Sequence, residues 1–289
     1  MWSRLVIDLA PLETLYELQR GSDVPLPYEL ITLYGRLQFP SRFGRPYVFG
    51  NFVSTLDGVV ALNEPDHSTG GDISGFNQQD RLLMGLLRAI ADAVIVGAGT
   101  LRVEPNHRWT AEYIYPSLAE EYRLLRTSLG KSAYPLNVIV TASGAVNLNL
   151  SVFQSTEIPV LIVTTPRGLR SIPASHVPSS MHITAVQSEG SISAQDILKA
   201  VSDVHKSDMI LVEGGPQLMG DFFAEQCLDE LFLTLAPQVA GRDGSIGRPG
   251  FVAGKSFAPE HPIWGTLIGV KRGGNHLFLR YAFEVRDHE

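Results

Sequence analysis

Residues 92–105 read DAVIVGAGTLRVEP, and this stretch decides the fold. The apolar run Ala93–Val96 empties into Gly97-Ala98-Gly99-Thr100, which reads as a buried strand delivering bare backbone to a phosphate-bearing ligand. The dinucleotide fingerprint would need a third glycine where Arg102 stands, a long helix where Pro105 and Trp109 stand, and a second strand ending in an acid. All three are missing. Gly254-Lys255-Ser256 is not a Walker loop either: Pro249 occupies the first glycine position, and Pro259 and Pro262 interrupt the helix that must follow.

Working outward, strand-like and helix-like segments alternate. Tyr47–Ser54 is a strand rich in aromatic and β-branched residues, followed by a turn-rich loop over 57–75. The segment 76–90 is predicted helical, with Leu82, Leu83, Leu86, Leu87 and Ile90 at three- and four-residue spacing. Further helices are predicted over 12–20, 112–129, 192–205 and 218–227. Val138–Thr141, Val160–Thr165 and Met209–Val212 are short apolar runs of a covered parallel sheet. The alternation over 231–236 predicts an edge or antiparallel strand. The runs 266–271 and 276–284 flank Arg272-Gly273-Gly274-Asn275 and predict a hairpin. The pattern predicts an α/β fold: a mixed, mostly parallel sheet flanked by helices, with an antiparallel C-terminal hairpin. Residues 35–289 read as one domain, and 1–34 as an extension of one helix and a linker.

Composition bounds the function. The 289 residues are 44% hydrophobic and 18% charged, with a net charge of −7. That balance gives no electrostatic reason to bind nucleic acid or an anionic membrane, and leaves room for a small anionic substrate in a local cationic pocket. A single cysteine, Cys227, excludes an intrachain disulfide framework and cysteine-rich zinc sites, and reads as a buried structural thiol. The eight histidines include no i, i+4 pair, so no metal is expected; His176 and His182 read as solvated. No apolar run approaches a membrane span and the N-terminus is too acidic for a signal peptide, so the expected location is cytoplasmic by default.

Two strands therefore end in bare backbone, at Gly97-Ala98-Gly99-Thr100 and at Glu213-Gly214-Gly215-Pro216. Ligands of open α/β sheets sit at the carboxyl ends of the strands, and a helix starting near Gln217 offers its positive end to an anion. Either motif alone could be only a tight turn. Together they point to nucleotide binding.

Asn51-Phe52-Val53-Ser54-Thr55-Leu56-Asp57-Gly58, Asp72-Ile73-Ser74-Gly75, Asp80-Arg81, Leu87-Arg88-Ala89, the opening stretch, Leu211-Val212-Glu213-Gly214-Gly215-Pro216 and Asp229-Glu230-Leu231 occur in an order that resembles the reductase domain of riboflavin biosynthesis. These are the pyrimidine reductases with a dihydrofolate-reductase-like fold. The resemblance covers about residues 45–245 and lacks the deaminase domain with which the family is often fused. It departs on the substrate side, at Asp72 and in the shortened Val103-Glu104-Pro105 run. It implies NADPH-dependent reduction of a ribosylamino-pyrimidine 5′-phosphate to the ribitylamino compound. It implies that Val53, Ser54, Gly97, Gly99, Thr100, Gly214, Gly215, Pro216, Gln217, Leu218 and Met219 line the cofactor. Ser143 and Thr164 are the candidates for its adenosine phosphate. Arg88 is implied as the substrate-phosphate anchor, remote from the reacting carbon, with Ser74 and Arg81 as weaker candidates. Glu213 and Glu104 stand near the reacting sugar or pyrimidine, with Asp57 supporting their loop. On the residues alone, Arg88 also reads as a helix-surface cation, Glu213 as a helix cap and Asp57 as a turn residue. A reductase of a pterin or other imine, and a nucleotide-binding module without turnover, remain open. A homodimer is expected from the resemblance and from the surplus of apolar residues in the hairpin: Leu267, Ile268, Val270, Leu277, Phe278 and Leu279.

Overall fold

The computed structural model describes residues 9–41, 44–67, 69–173, 178, 180–187 and 190–285. Its strands are β1 (Glu13–Glu17), β2 (Ser22–Asp23), β3 (Gln38–Phe39), β4 (Tyr47–Ser54), β5 (Ala93–Gly97), β6 (Leu136–Thr141), β7 (Val160–Thr164), β8 (Met181–Ala185), β9 (Met209–Val212), β10 (Glu230–Leu235), β11 (Thr266–Gly273) and β12 (His276–Ala282). The helices are α1 (Tyr28–Tyr34), α2 (Gly70–Ser74), α3 (Gln78–Ile90), α4 (Ala98–Val103), α5 (Ala111–Ile114), α6 (Ala119–Ser128), α7 (Ser151–Gln154), α8 (Pro166–Ser171), α9 (Ala194–Val204) and α10 (Pro216–Ala224). Ten strands form one sheet in the order β1-β11-β12-β10-β4-β9-β5-β6-β7-β8, and β2 pairs with β3.

From β10 to β8 the pairing is parallel; the β1, β11 and β12 side is antiparallel. The parallel strands are apolar almost throughout because both faces are covered. One face packs on α3 and α6 through Leu83, Leu86, Leu87, Tyr122 and Leu125. The other packs on α9 and α10 through Ile197, Val201, Met219 and Phe222. The α3 stripe lies where its spacing predicts, and Asn77 caps the helix by accepting the backbone N–H of Asp80 at 2.9 Å.

Four expectations are corrected. The helix predicted over 12–20 is the strand β1, antiparallel to β11. Helical spacing there is overridden because β1 supplies main-chain partners to an otherwise open edge, and Glu13 and Glu17 meet Arg272 and Lys271. The predicted helix over 112–129 is broken by a 3-10 turn beginning at Pro116, which divides α5 from α6. The strand at 230–235 is antiparallel to β12, as one of the two alternatives predicts, but it is interior, with β4 parallel on its other side. Its polar positions are compatible with burial because Glu230 is paired there: Arg280 Nε donates to it at 2.6 Å and the Tyr47 hydroxyl at 2.8 Å. His182 is exposed, as expected of a solvated residue, but it lies on β8, a strand that the apolar runs do not predict; His176 lies outside the described residues.

Cys227 is buried just beyond α10, as expected of a structural thiol, and burial pushes its pKa up to about 11. Among the described residues, no helix is long and apolar enough to cross a membrane.

Candidate active site

The carboxyl ends of β4, β5, β6 and β9 open onto a cavity of about 1180 Å³. That is above the ~300–1,000 Å³ common for one small ligand, and is sized for a dinucleotide together with a second molecule. Its floor is main chain. Gly97 is the N-cap of α4 and Gly215, at φ +51°, the N-cap of α10; neither helix start has a side-chain cap. Their first N–H groups are left to a ligand, and in the nine-residue α10 the helix dipole favours an anion. A Cβ on Gly97 would meet nothing within 4 Å, whereas one on Gly214 would lie 2.5 Å from the Gly97 nitrogen. Gly214 is therefore required for the close approach of β9 to β5, and Gly97 keeps the cavity floor clear.

Most sequence-selected residues line this cavity: Val53, Gly97, Gly99, Thr100, Ser143, Gly215, Pro216, Gln217 and Leu218, together with Ser74, Arg81, Arg88, Glu104 and Glu213. Five do not. Ser54 is buried and donates to the Thr55 carbonyl. Thr164 is fully buried and donates to the Thr141 carbonyl at 2.7 Å, so its hydroxyl cannot meet a cofactor phosphate. Gly214 and Met219 are packed beneath the floor, Met219 against Gly50. Asp57 lies outside the cavity wall. It accepts the Thr55 hydroxyl at 2.6 Å and the N–H groups of Ala240 and Gly241 at 3.1 and 2.8 Å, and its carboxyl is held at about 2 by the Thr55 hydroxyl first and these amides next.

Arg88 and Glu213 are a correction. Expected apart, one at the phosphate end and one at the reacting carbon, the two side chains are paired. Arg88 Nη2 and Nε lie 2.8 and 2.9 Å from Glu213 Oε2, with side chains 1% and 4% exposed. Arg88 also donates to the Thr110 carbonyl at 3.3 Å. Arg88 is thus no surface cation, and Glu213 caps no helix. Burial is tolerated because each charge neutralises the other, which leaves Arg88 little free charge for a phosphate. Arg81, stacked over Phe76, and Arg102, exposed on α4, also line the cavity and have no acidic partner among the described residues.

Two titratable groups of the wall, Asp80 and His107, also stand outside the set that the sequence predicts. Asp80, at the start of α3, is 4% exposed; burial pushes its carboxyl up to about 6, and the charge of Glu213 adds to this, against Thr234, His276 and Ser74 beside it. His107 lies 2.6 Å from Glu104 through Nδ1, three residues on in the same turn. Burial holds the imidazole below its ordinary value, and it stays neutral at pH 7. Burial alone would raise Glu104, but the hydrogen bond from His107 and the nearby Arg88 outweigh it and keep the carboxylate ionised. The Glu-x-x-His spacing was the available signal for this pair. For Asp80 the sequence carried none, since its burial depends on β10 and β12.

An open mixed sheet with bare strand ends, an uncapped helix start and carboxylates lining the same cavity defines an α/β protein with a nucleotide-type cleft. The chain belongs to the RibD C-terminal domain family, whose profile matches residues 46–261. It is 26% identical over 216 residues to the 2,5-diamino-6-ribosylamino-4(3H)-pyrimidinone 5′-phosphate reductase of Archaeoglobus fulgidus, covering 74% of this chain and 89% of that one. It is 24% identical to the riboflavin biosynthesis protein RibD of Aquifex aeolicus over 70% of this chain, and spans about half (49%) of that protein's length. A pyrimidine reductase-like protein of Corynebacterium diphtheriae shares the fold with a TM-score of 0.62 at 19% identity, over 91% of this chain and 96% of that one.

Proposed function

We propose that this chain reduces a ribosylamino-pyrimidine 5′-phosphate to its ribitylamino form in riboflavin biosynthesis, with NADPH as the hydride donor. One observation carries the reading: the bare main chain of Gly97 and Gly215, with the uncapped start of α10, opens onto the same cavity as the carboxylates of Glu104 and Glu213. The glycine floor fits a pyrophosphate, which needs unobstructed N–H groups. Val53, Thr100 and Gln217 stand along that floor, and Ser143, at the end of β6, is the candidate for the adenosine end. When bound, the nicotinamide supplies the hydride. The chain's own residues bind, orient and move protons. The ionised Glu104 faces the sugar and accepts hydrogen bonds from its hydroxyls. Glu213, fixed by Arg88, orients the pyrimidine end. Asp80, holding a proton up to about pH 6, stands in the same wall. Arg81 and Arg102 are the guanidinium groups free to take the 5′-phosphate.

In the same reading, residues 35–289 are one reductase domain and 1–34 an extension, of which β1 pairs with the edge strand β11. A second copy packs on the hairpin, where Leu267, Val270, Leu277 and Leu279 remain only partly buried.

The test is oxidation of NADPH with the ribosylamino-pyrimidine phosphate, in aminated and deaminated forms, with dihydrofolate alongside. Turnover of either pyrimidine is expected; turnover of dihydrofolate alone refutes the substrate class. Trp109, in the cavity wall, is a fluorescence reporter for binding. Tighter binding of NADH than NADPH refutes the cofactor assignment.

A further inference from the structure

His107 has two ring nitrogens in different situations. Nδ1 faces Glu104 at 2.6 Å and must carry the proton, because a carboxylate only accepts. Burial disfavours the charged imidazole, so Nε2 is the unprotonated acceptor, and it is buried with no hydrogen-bond partner among the described residues. The ring is held in place rather than free to turn, with Trp109 at 5.0 Å and Tyr113 at 4.7 Å between centroids. The residue is 8% exposed and forms part of the cavity wall together with Glu104, Arg88 and Glu213. A buried acceptor without a partner is unfavourable, and a fold retains one where something else supplies the donor.

We propose that His107 is a specificity-determining residue of this cavity, its Nε2 accepting a hydrogen bond from an N–H or O–H group of the bound ribosylamino-pyrimidine. The inference rests on the proposed substrate class and adds the residue that selects within it. Glu104 has a double part: its carboxylate fixes the imidazole tautomer and so directs the lone pair of Nε2 to the ligand. The atom is buried in the cavity wall, and Tyr113, whose ring packs on His107, is exposed at the rim. A site of this kind discriminates by leaving its acceptor unpaired against an analogue that lacks the donor.

Two variants separate this part from simple support of Glu104. In His107→Asn the side-chain amide stands about where Nδ1 stands, so it keeps the bond to Glu104 and loses the outer acceptor. In His107→Gln the amide reaches about as far as Nε2. Expected for His107→Asn is a KM for the pyrimidine phosphate raised at least about fivefold, the loss of one neutral hydrogen bond, with NADPH affinity unchanged. His107→Gln should recover part of that loss. In protein labelled with nitrogen isotope at histidine, the Nε2 resonance missing from His107→Asn should shift when the pyrimidine phosphate is added, and stay in place with NADPH alone. If wild type turns the substrate over while His107→Asn matches its KM and the resonance does not move, the assignment of His107 is overturned and the proposed function stands. If wild type neither binds nor reduces the pyrimidine phosphate, the proposed function fails and the assignment fails with it.

Discussion

Removing either member of the Arg88–Glu213 pair should damage the fold and the reaction together. With side chains 1% and 4% exposed and contacts of 2.8 and 2.9 Å, the pair has almost no water to screen it. Among the described residues, Glu213→Gln leaves the Arg88 guanidinium buried with only the Thr110 carbonyl and a neutral amide, and Arg88→Met leaves the Glu213 carboxylate with only Asn51 at 3.5 Å. Breaking one side of a buried ion pair costs about 3–5 kcal/mol. At roughly 2–4 °C per kcal/mol for a protein of this size, Tm should fall by roughly 6–20 °C. The double variant Arg88→Met/Glu213→Leu removes both charges, and should be more stable than the sum of the singles by at least about 2 kcal/mol. Calorimetry or urea unfolding of the four proteins measures this cycle. Kinetically, either single substitution should lower kcat/KM about as far as both, because the groups act as one unit. A coupling energy below about 0.5 kcal/mol, with Arg88→Met raising only KM and Glu213→Gln lowering only kcat, would refute the reasoning and restore two independent roles.

Asp80 retains its proton to about pH 6 in the folded protein, chiefly because it is buried, whereas in the unfolded chain it ionises near pH 4. The folded state then binds more protons between those values, so stability contributed here is lost as pH rises from about 4 to about 6, by at most about 3 kcal/mol. Asp80→Asn should match wild type near pH 4 and exceed it at pH 7; a stability difference independent of pH contradicts this. Gly97→Ala, whose Cβ meets nothing, should keep Tm while weakening NADPH binding, whereas Gly214→Ala forces a 2.5 Å contact and should lower both; equal behaviour of the two would sink the distinction. Asp57→Ala should speed amide hydrogen exchange at Ala240 and Gly241 without abolishing turnover, and abolished kcat with unchanged exchange would assign Asp57 to the chemistry. Light scattering should give a dimer at micromolar concentration; a monomer of about 31.6 kDa would exclude the hairpin as an interface.

Local patterns carried the parallel half of the sheet. β4 and β9 lie at the bounds that their apolar runs predict, and the stripe of α3 faces the core, because such segments are specified by periodicity and by bare glycines at the strand ends. The same local information placed Gly97, Gly215 and Glu213 at one end of the sheet, and the family resemblance added Glu104. It failed where a partner distant in sequence decides. β1 has helical spacing but lies beside β11, some 250 residues away, whose open edge it pairs. The alternation of β10 cannot reveal that Arg280 and Tyr47 will neutralise Glu230 inside the sheet. The union of Arg88 with Glu213, 125 residues apart, exists only once α3 packs against the end of β9, and with it the free charge of Arg88 disappears. Sequence alone determined which strands end in bare backbone and which chemistry-bearing residues gather there. Tertiary structure decided which of their charges remain free to meet a ligand, since burial and pairing are properties of neighbours that the chain brings together from afar.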